Sequence, residues 1–87
     1  NNISTFPNPF NPETTIKFSV ENPKETKLEI LNLKGQKVRS FSIVKQGEQS
    51  VVWSGKDDTG NKVSSGVYFI NLSSKTSQDV KKILLLK

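Results

Sequence analysis

The sequence has no cysteine, no histidine and no methionine among its 87 residues. Without cysteine it can form neither a disulfide nor a thiolate metal site. That lack does not fix a compartment, and it suits an exported bacterial protein that folds without oxidation. Without histidine the chain lacks the commonest general base and the commonest zinc ligand. Tryptophan and tyrosine occur once each. No apolar run approaches the ~20 residues that a membrane-spanning helix needs. The most apolar unbroken stretch is Ile83-Leu84-Leu85-Leu86, held between Lys81-Lys82 and Lys87. A run this short, bounded by charge, reads as a strand buried on both faces or a strand waiting for a neighbour.

A chain of this length makes one domain with a thin core. Thirteen Lys and Arg against eight acids give a net charge of +5, spread along the chain rather than clustered. A diffuse excess favours solubility over any specific anionic partner. No secretory leader heads the sequence. It opens Asn1-Asn2-Ile3 without a methionine, which reads as a piece cut from something longer.

Residues 1–12 carry Pro7, Pro9 and Pro12, which forbid a helix or a central strand there and predict an extended lead-in packed on the domain. Phe6 and Phe10 are expected to fold back and plug one end of the core, the rival reading being an exposed aromatic binding surface. The remainder, residues 13–87, reads as the folded unit. Ile16, Phe18 and Val20 alternate with Lys17 and Ser19 as a half-buried strand. A turn at Glu21–Lys24 follows, then a second strand on Leu28 and Ile30. Its parity slips at Leu31 and Leu33, which a bulge or the start of a hairpin near Asn32 would explain. Gly35 supplies a hairpin turn. Val38–Val44 reads as a third strand with Phe41 and Ile43 inward. Ser50–Trp53 reads as a fourth, with Trp53 the core anchor because it offers the most area to bury. A long loop of turn formers runs from Ser54 to Ser65. Gly66 opens a fifth strand, Val67–Leu72, apolar on both parities and so expected to be central and covered on both sides. The last runs from about Val80 to Leu86. Six clear strands, or seven with the lead-in, and no helical periodicity predict an all-β, immunoglobulin-like antiparallel sandwich.

Candidate chemistry is sparse. No nucleophile–base arrangement can be named, and the one close acid pair, Asp57–Asp58, lies in a loop, so no catalysis is expected. With Asn61 these acids are weak candidates for a Ca²⁺ site, yet alternating acids and a distal Glu are missing, and an Asx-type turn is the plainer reading. No metal or other cofactor is expected. The lysines alternate along strands like a solvated face, with no interleaved aromatic platform, which argues against nucleic acid. No small-molecule substrate is indicated. Asn2-Ile3-Ser4 and Asn71-Leu72-Ser73 match the glycosylation sequon, a weak three-residue signal.

Taken together, several pieces resemble one family. They are Phe6-Pro7-Asn8-Pro9-Phe10-Asn11-Pro12 with Thr14-Thr15-Ile16, the Asn32–Val38 hairpin, the Trp53–Asp58 and Ser65–Phe69 segments, and the Lys81–Lys87 end. Their order and content are similar to the type A C-terminal sorting domain of the bacterial type IX secretion system, and also to the immunoglobulin-like domain of flagellar hook-capping proteins. The resemblance implies a non-catalytic module behind an N-terminal cargo in the same chain. Such a module is recognised by an outer-membrane translocon and processed by a surface sortase. The cargo would pass through the periplasm of a Gram-negative-type bacterium and end secreted or at the cell surface. By motif, recognition would fall on Gly66, Lys81, Lys82, Ile83, Leu84, Leu85, Leu86 and Lys87, and the domain-start motif on Pro7, Asn8, Pro9, Phe10, Asn11 and Pro12. The Leu-rich run departs from the β-branched residues usual in strands. Two other readings stay open: a structural immunoglobulin-like spacer, and a carbohydrate- or calcium-binding accessory module.

Overall fold

The computed structural model describes residues 3–86. Seven strands follow one another: β1 (Ile3–Phe6), β2 (Thr14–Val20), β3 (Lys27–Leu31), β4 (Lys37–Phe41), β5 (Gly47–Trp53), β6 (Gly66–Ser73) and β7 (Gln78–Leu85). They form two antiparallel sheets, ordered β1-β2-β5 and β4-β3-β6-β7. A single 3₁₀ turn, Pro23–Glu25, is the only helical element among the described residues, and the Asn22 side chain caps it by accepting from Lys24 N at 3.1 Å. The expected sandwich is therefore present.

Period-2 patterning makes the core. Ile16, Phe18 and Val20 from β2 face Leu28 and Ile30 from β3, Tyr68, Ile70 and Leu72 from β6, and Ile83 and Leu85 from β7, all buried. Trp53, 1 % exposed, stands at one end between Phe10 and Tyr68, with ring centroids at 5.6 and 5.3 Å. Its indole N–H donates to Lys56 O at 2.8 Å, so the buried polar atom is satisfied. Of the two readings of the parity slip, the structure has the bulge, between Ile30 and Leu31, where pairing to β4 slips by one residue. Gly35 turns the following hairpin at φ +83°.

Four expectations need correction. Phe6 does not plug the core; it is 81 % exposed, because β1 turns Ile3 and Thr5 inward and places Phe6 opposite Thr15 on the outer face. Phe10 alone does that job. The third strand stops at Phe41, and Val44 is exposed in a link that crosses to the other sheet. The fourth strand starts earlier than Ser50, at Gly47, because β2 pairs along its whole length. Finally, β6 is central by pairing but not covered twice: Tyr68, Ile70 and Leu72 are buried, whereas Val67 and Phe69 on the outer face are half-buried.

Candidate functional site

The lead-in motif crosses from one sheet to the other and lies along the outer edge of β7. Phe10 N donates to Leu84 O at 3.0 Å, and Leu86 N donates to Phe10 O at 2.9 Å. Two residues earlier, Asn8 uses its side-chain amide in place of a peptide group. Its Nδ2 donates to Lys82 O at 3.2 Å, and its Oδ1 accepts from Leu84 N at 3.1 Å. Proline supplies no N–H, so a Pro-rich segment cannot offer a continuous ladder, and the Asn side chain stands in. Thr14 Oγ1, buried, ties the start of the motif by donating to Pro7 O at 2.8 Å.

These contacts bring together residues far apart in sequence. Gly66 pairs with Leu85, and Phe10 bridges Leu85 from the other side. A side chain at Gly55 would meet Leu85 Cδ2 at 3.4 Å and Pro12 O at 3.8 Å, so the loop backbone packs close against the strand end. Within the terminal run the side chains separate by parity. Ile83 and Leu85 are buried; Leu84 is half-buried and Leu86 exposed. The two lysines also part: Lys81 shares the inward parity and is half-buried, while Lys82 stands exposed on the outer face. Lys87 lies outside the described residues, as does Asn2 of the first sequon. Asn71 of the second sequon sits inside β6 and accepts from Gln78 Nε2 at 3.0 Å.

The opposite edge of the same sheet is closed by the long loop in a similar way. Asp58 N donates to Val38 O at 3.1 Å, and Asp58 Oδ1 accepts from Ser40 N at 3.0 Å and from Arg39 at 3.2 Å. The Arg39 guanidinium also lies over the Phe41 ring, 4.3 Å from its centroid. The Ser40 N–H, with help from Arg39, holds the Asp58 carboxyl below its ordinary pKa. Asp57 Oδ1 accepts from Thr59 Oγ1 at 2.7 Å, Asn61 N at 2.9 Å and Thr59 N at 3.0 Å. The Thr59 hydroxyl, then the Asn61 N–H, lower the Asp57 pKa. Asn61 turns its amide to Thr59 Oγ1 at 3.0 Å. The three candidate ligands Asp57, Asp58 and Asn61 thus bond to the loop and to β4. No group of three or more acids converges anywhere among the described residues.

The sequence signals named the Pro7–Pro12 motif but not its bonding partner. Asn8 and Leu84 are 76 positions apart, and no local pattern reveals that an amide will replace a peptide group. Asp58's part at the β4 edge was missed for the same reason.

No curated protein sequence matches the chain. Among solved structures, it is similar to part of PorZ, described as an essential bacterial surface component of the type IX secretion system of Porphyromonas gingivalis. The TM-score is 0.73 and the identity 18 %, over 98 % of this chain and 11 % of that one. The chain thus spans about a tenth of that protein's length, and the likeness bears on fold. A family model described as the secretion system C-terminal sorting domain matches residues 4–86, nearly the whole chain, and on that match the chain belongs to the secretion system C-terminal sorting domain family.

Proposed function

We propose that the export machinery reads side chains presented by the folded domain around β7, rather than adding a strand to its edge. The class of function follows from family membership: these domains are sorting signals for type IX secretion, and the cargo that carries them reaches the cell surface or is secreted. An apolar edge strand invites strand addition in principle. Here, however, the outward groups Lys82 O, Leu84 N, Leu84 O and Leu86 N already bond to Asn8 and Phe10. That occupancy is the observation that carries the proposal. Along Lys82–Leu86 an incoming strand would have to displace the motif first.

On this reading the recognition residues divide into two kinds. Gly66, Ile83, Leu85 and Pro7–Pro12 shape and hold the strand; Lys82 and Leu86 are available to a partner, with Lys81 half-hidden. The partners are the outer-membrane translocon and a surface sortase, with the cargo joined at the N-terminal side. The sorting domains of this family are non-catalytic in general, and we extend that to this chain. Nothing in the geometry favours a calcium or carbohydrate site over the Asx-type turn.

The test fuses a signal-peptide-bearing fluorescent reporter ahead of residues 1–87 in a host with type IX secretion. Export to the surface or medium is expected; a reporter that stays periplasmic means the chain is a spacer and not a signal. Deleting Lys81–Lys87 would be uninformative, since it removes the buried Ile83 and Leu85 and unfolds the core. Leu86→Ser with Lys82→Ala leaves the core intact and is expected to lower export. Undiminished export would instead favour the strand-addition mechanism.

A further inference from the structure

One row of residues crosses the whole outer face of the larger sheet. Lys37 of β4 stands opposite Leu31 of β3, Leu31 opposite Phe69 of β6, and Phe69 opposite Lys82 of β7. Directly opposed residues share a face. Leu31 and Phe69 are half-buried, and both lysines are exposed. Val67 and Leu84, opposed to each other in the next row on the same face, are also half-buried and widen the apolar centre. An antiparallel sheet with one solvated face ordinarily turns polar residues outward. A Phe flanked by three aliphatic side chains in the middle of that face departs from the rule.

The β3–β4 bulge is what completes the row. Arg39 pairs with Ile30, whose side chain is in the core, so β4 would place Lys37 on the inner parity too. The slip between Ile30 and Leu31 resets the pairing at Val38 and sets Lys37 opposite the outward Leu31. A cation therefore stands at each end of an apolar bar. Three inter-strand steps separate them, roughly 14 Å. Beyond the two lysines, the nearest charge on this face is Glu29, opposite Ser40 in the adjoining row.

We infer that this face, centred on Phe69 and ended by Lys37 and Lys82, is the docking surface for a protein partner of complementary chemistry. That partner is an apolar strip carrying acidic side chains at both ends, in the export machinery. The inference rests on the sorting reading and names the face by which that reading operates. Two separated cations fix both register and orientation on a partner, which a lone apolar patch does not. Apolar contact at Phe69 supplies the anchor, with the lysine stems lying against it.

The test uses the same reporter fusion with two charge-reversed pairs. Lys37→Glu with Lys82→Glu alters the bar. Lys17→Glu with Lys45→Glu makes the same net change around the groove on the other sheet, lined by Ser4, Lys17, Lys45 and Ser50. All four lysines are exposed, so both variants should melt like the parent. The first pair is expected to lower export about tenfold, as reversing rim charges slows association, and the second to leave it unchanged. Phe69→Thr, which keeps strand propensity, should match the first pair. Equal export from both charge variants would overturn the docking face while leaving the sorting reading intact, and an equal fall in both would reduce the effect to net charge. Failure of the unaltered fusion to leave the periplasm would overturn both readings together. Sedimentation of the purified domain with phosphatidylglycerol vesicles is expected to show no binding. Binding lost in Lys37→Glu with Lys82→Glu would assign the face to a membrane instead.

Discussion

Trp53 touches Phe10 on one side and Tyr68 on the other, and its N–H is held by Lys56 O. Truncation to Ala would leave a large cavity and cost about 3–5 kcal/mol. In a domain this small that lowers the melting midpoint by roughly 12 °C or more, readable by circular dichroism. Phe6→Ser tests the opposite case: at 81 % exposure it should shift stability by no more than about 0.5 kcal/mol. Thr5 Oγ1 is buried and has no hydrogen-bond partner among the described residues. Thr5→Val keeps the shape and removes that cost, so a gain of about 1 kcal/mol is expected, seen as a melting midpoint higher by roughly 4–8 °C. The two loop carboxyls give a pH signature. Both pKa values are depressed in the folded state. Their contribution is therefore present above the unfolded value near 4 and fades as pH falls through the folded one. Asp57→Asn with Asp58→Asn should flatten the loss of stability as pH falls below about 4 in urea titrations.

At the scale of elements, the edges of the four-stranded sheet carry the argument. Exposed edges recruit other strands, and folded proteins blunt them. Here a side-chain amide covers the C-terminal half of one edge and a carboxylate caps the other, each standing in for a peptide group. Asn8→Ala should remove two hydrogen bonds at a cost of about 1 kcal/mol each. It should also let purified domain self-associate, a change that light scattering would detect and that Asn8→Asp would only half rescue, since a carboxylate accepts but does not donate. Periodicity made most elements legible. Ile16/Phe18/Val20 and Leu28/Ile30 alternate cleanly, and the slip at Leu31 marked an irregularity without deciding between a bulge and a hairpin start. β1 was harder to see, since Ile3 is its single aliphatic residue and prolines follow. The face centred on Phe69 was masked by its own composition: an apolar residue on both parities of β6 suggests double cover, while the actual cover is partial.

Across the whole molecule, the Cα radius of gyration is 12.2 Å, close to the value of about 12 Å expected for a compact chain of this length. One aromatic cluster, two covered edges and a lysine-ended outer face occupy a body of 35 × 23 × 20 Å. The candidate site was legible as a set of motifs and illegible as an arrangement. Pro7–Pro12, Gly66 and the terminal run could each be named, but that they meet at Leu85 depends on sheet order, which periodicity does not encode. Calorimetric titration with Ca²⁺ should give no heat, as Asp57 and Asp58 already hold their donors. The bonding of Phe10 to Leu84 and Leu86 also has a mechanical meaning. The bridge is parallel, so tension between a cargo on the N-terminal side and a gripped final strand, once it has passed β1 and its pairing with β2, would load those hydrogen bonds in shear, together, rather than peel them one by one. Resistance to pulling is set by how fast such a patch lets go, not by overall stability. The Pro-rich motif would then act as a tow-hitch, letting the last strand bear the drag of whatever precedes it.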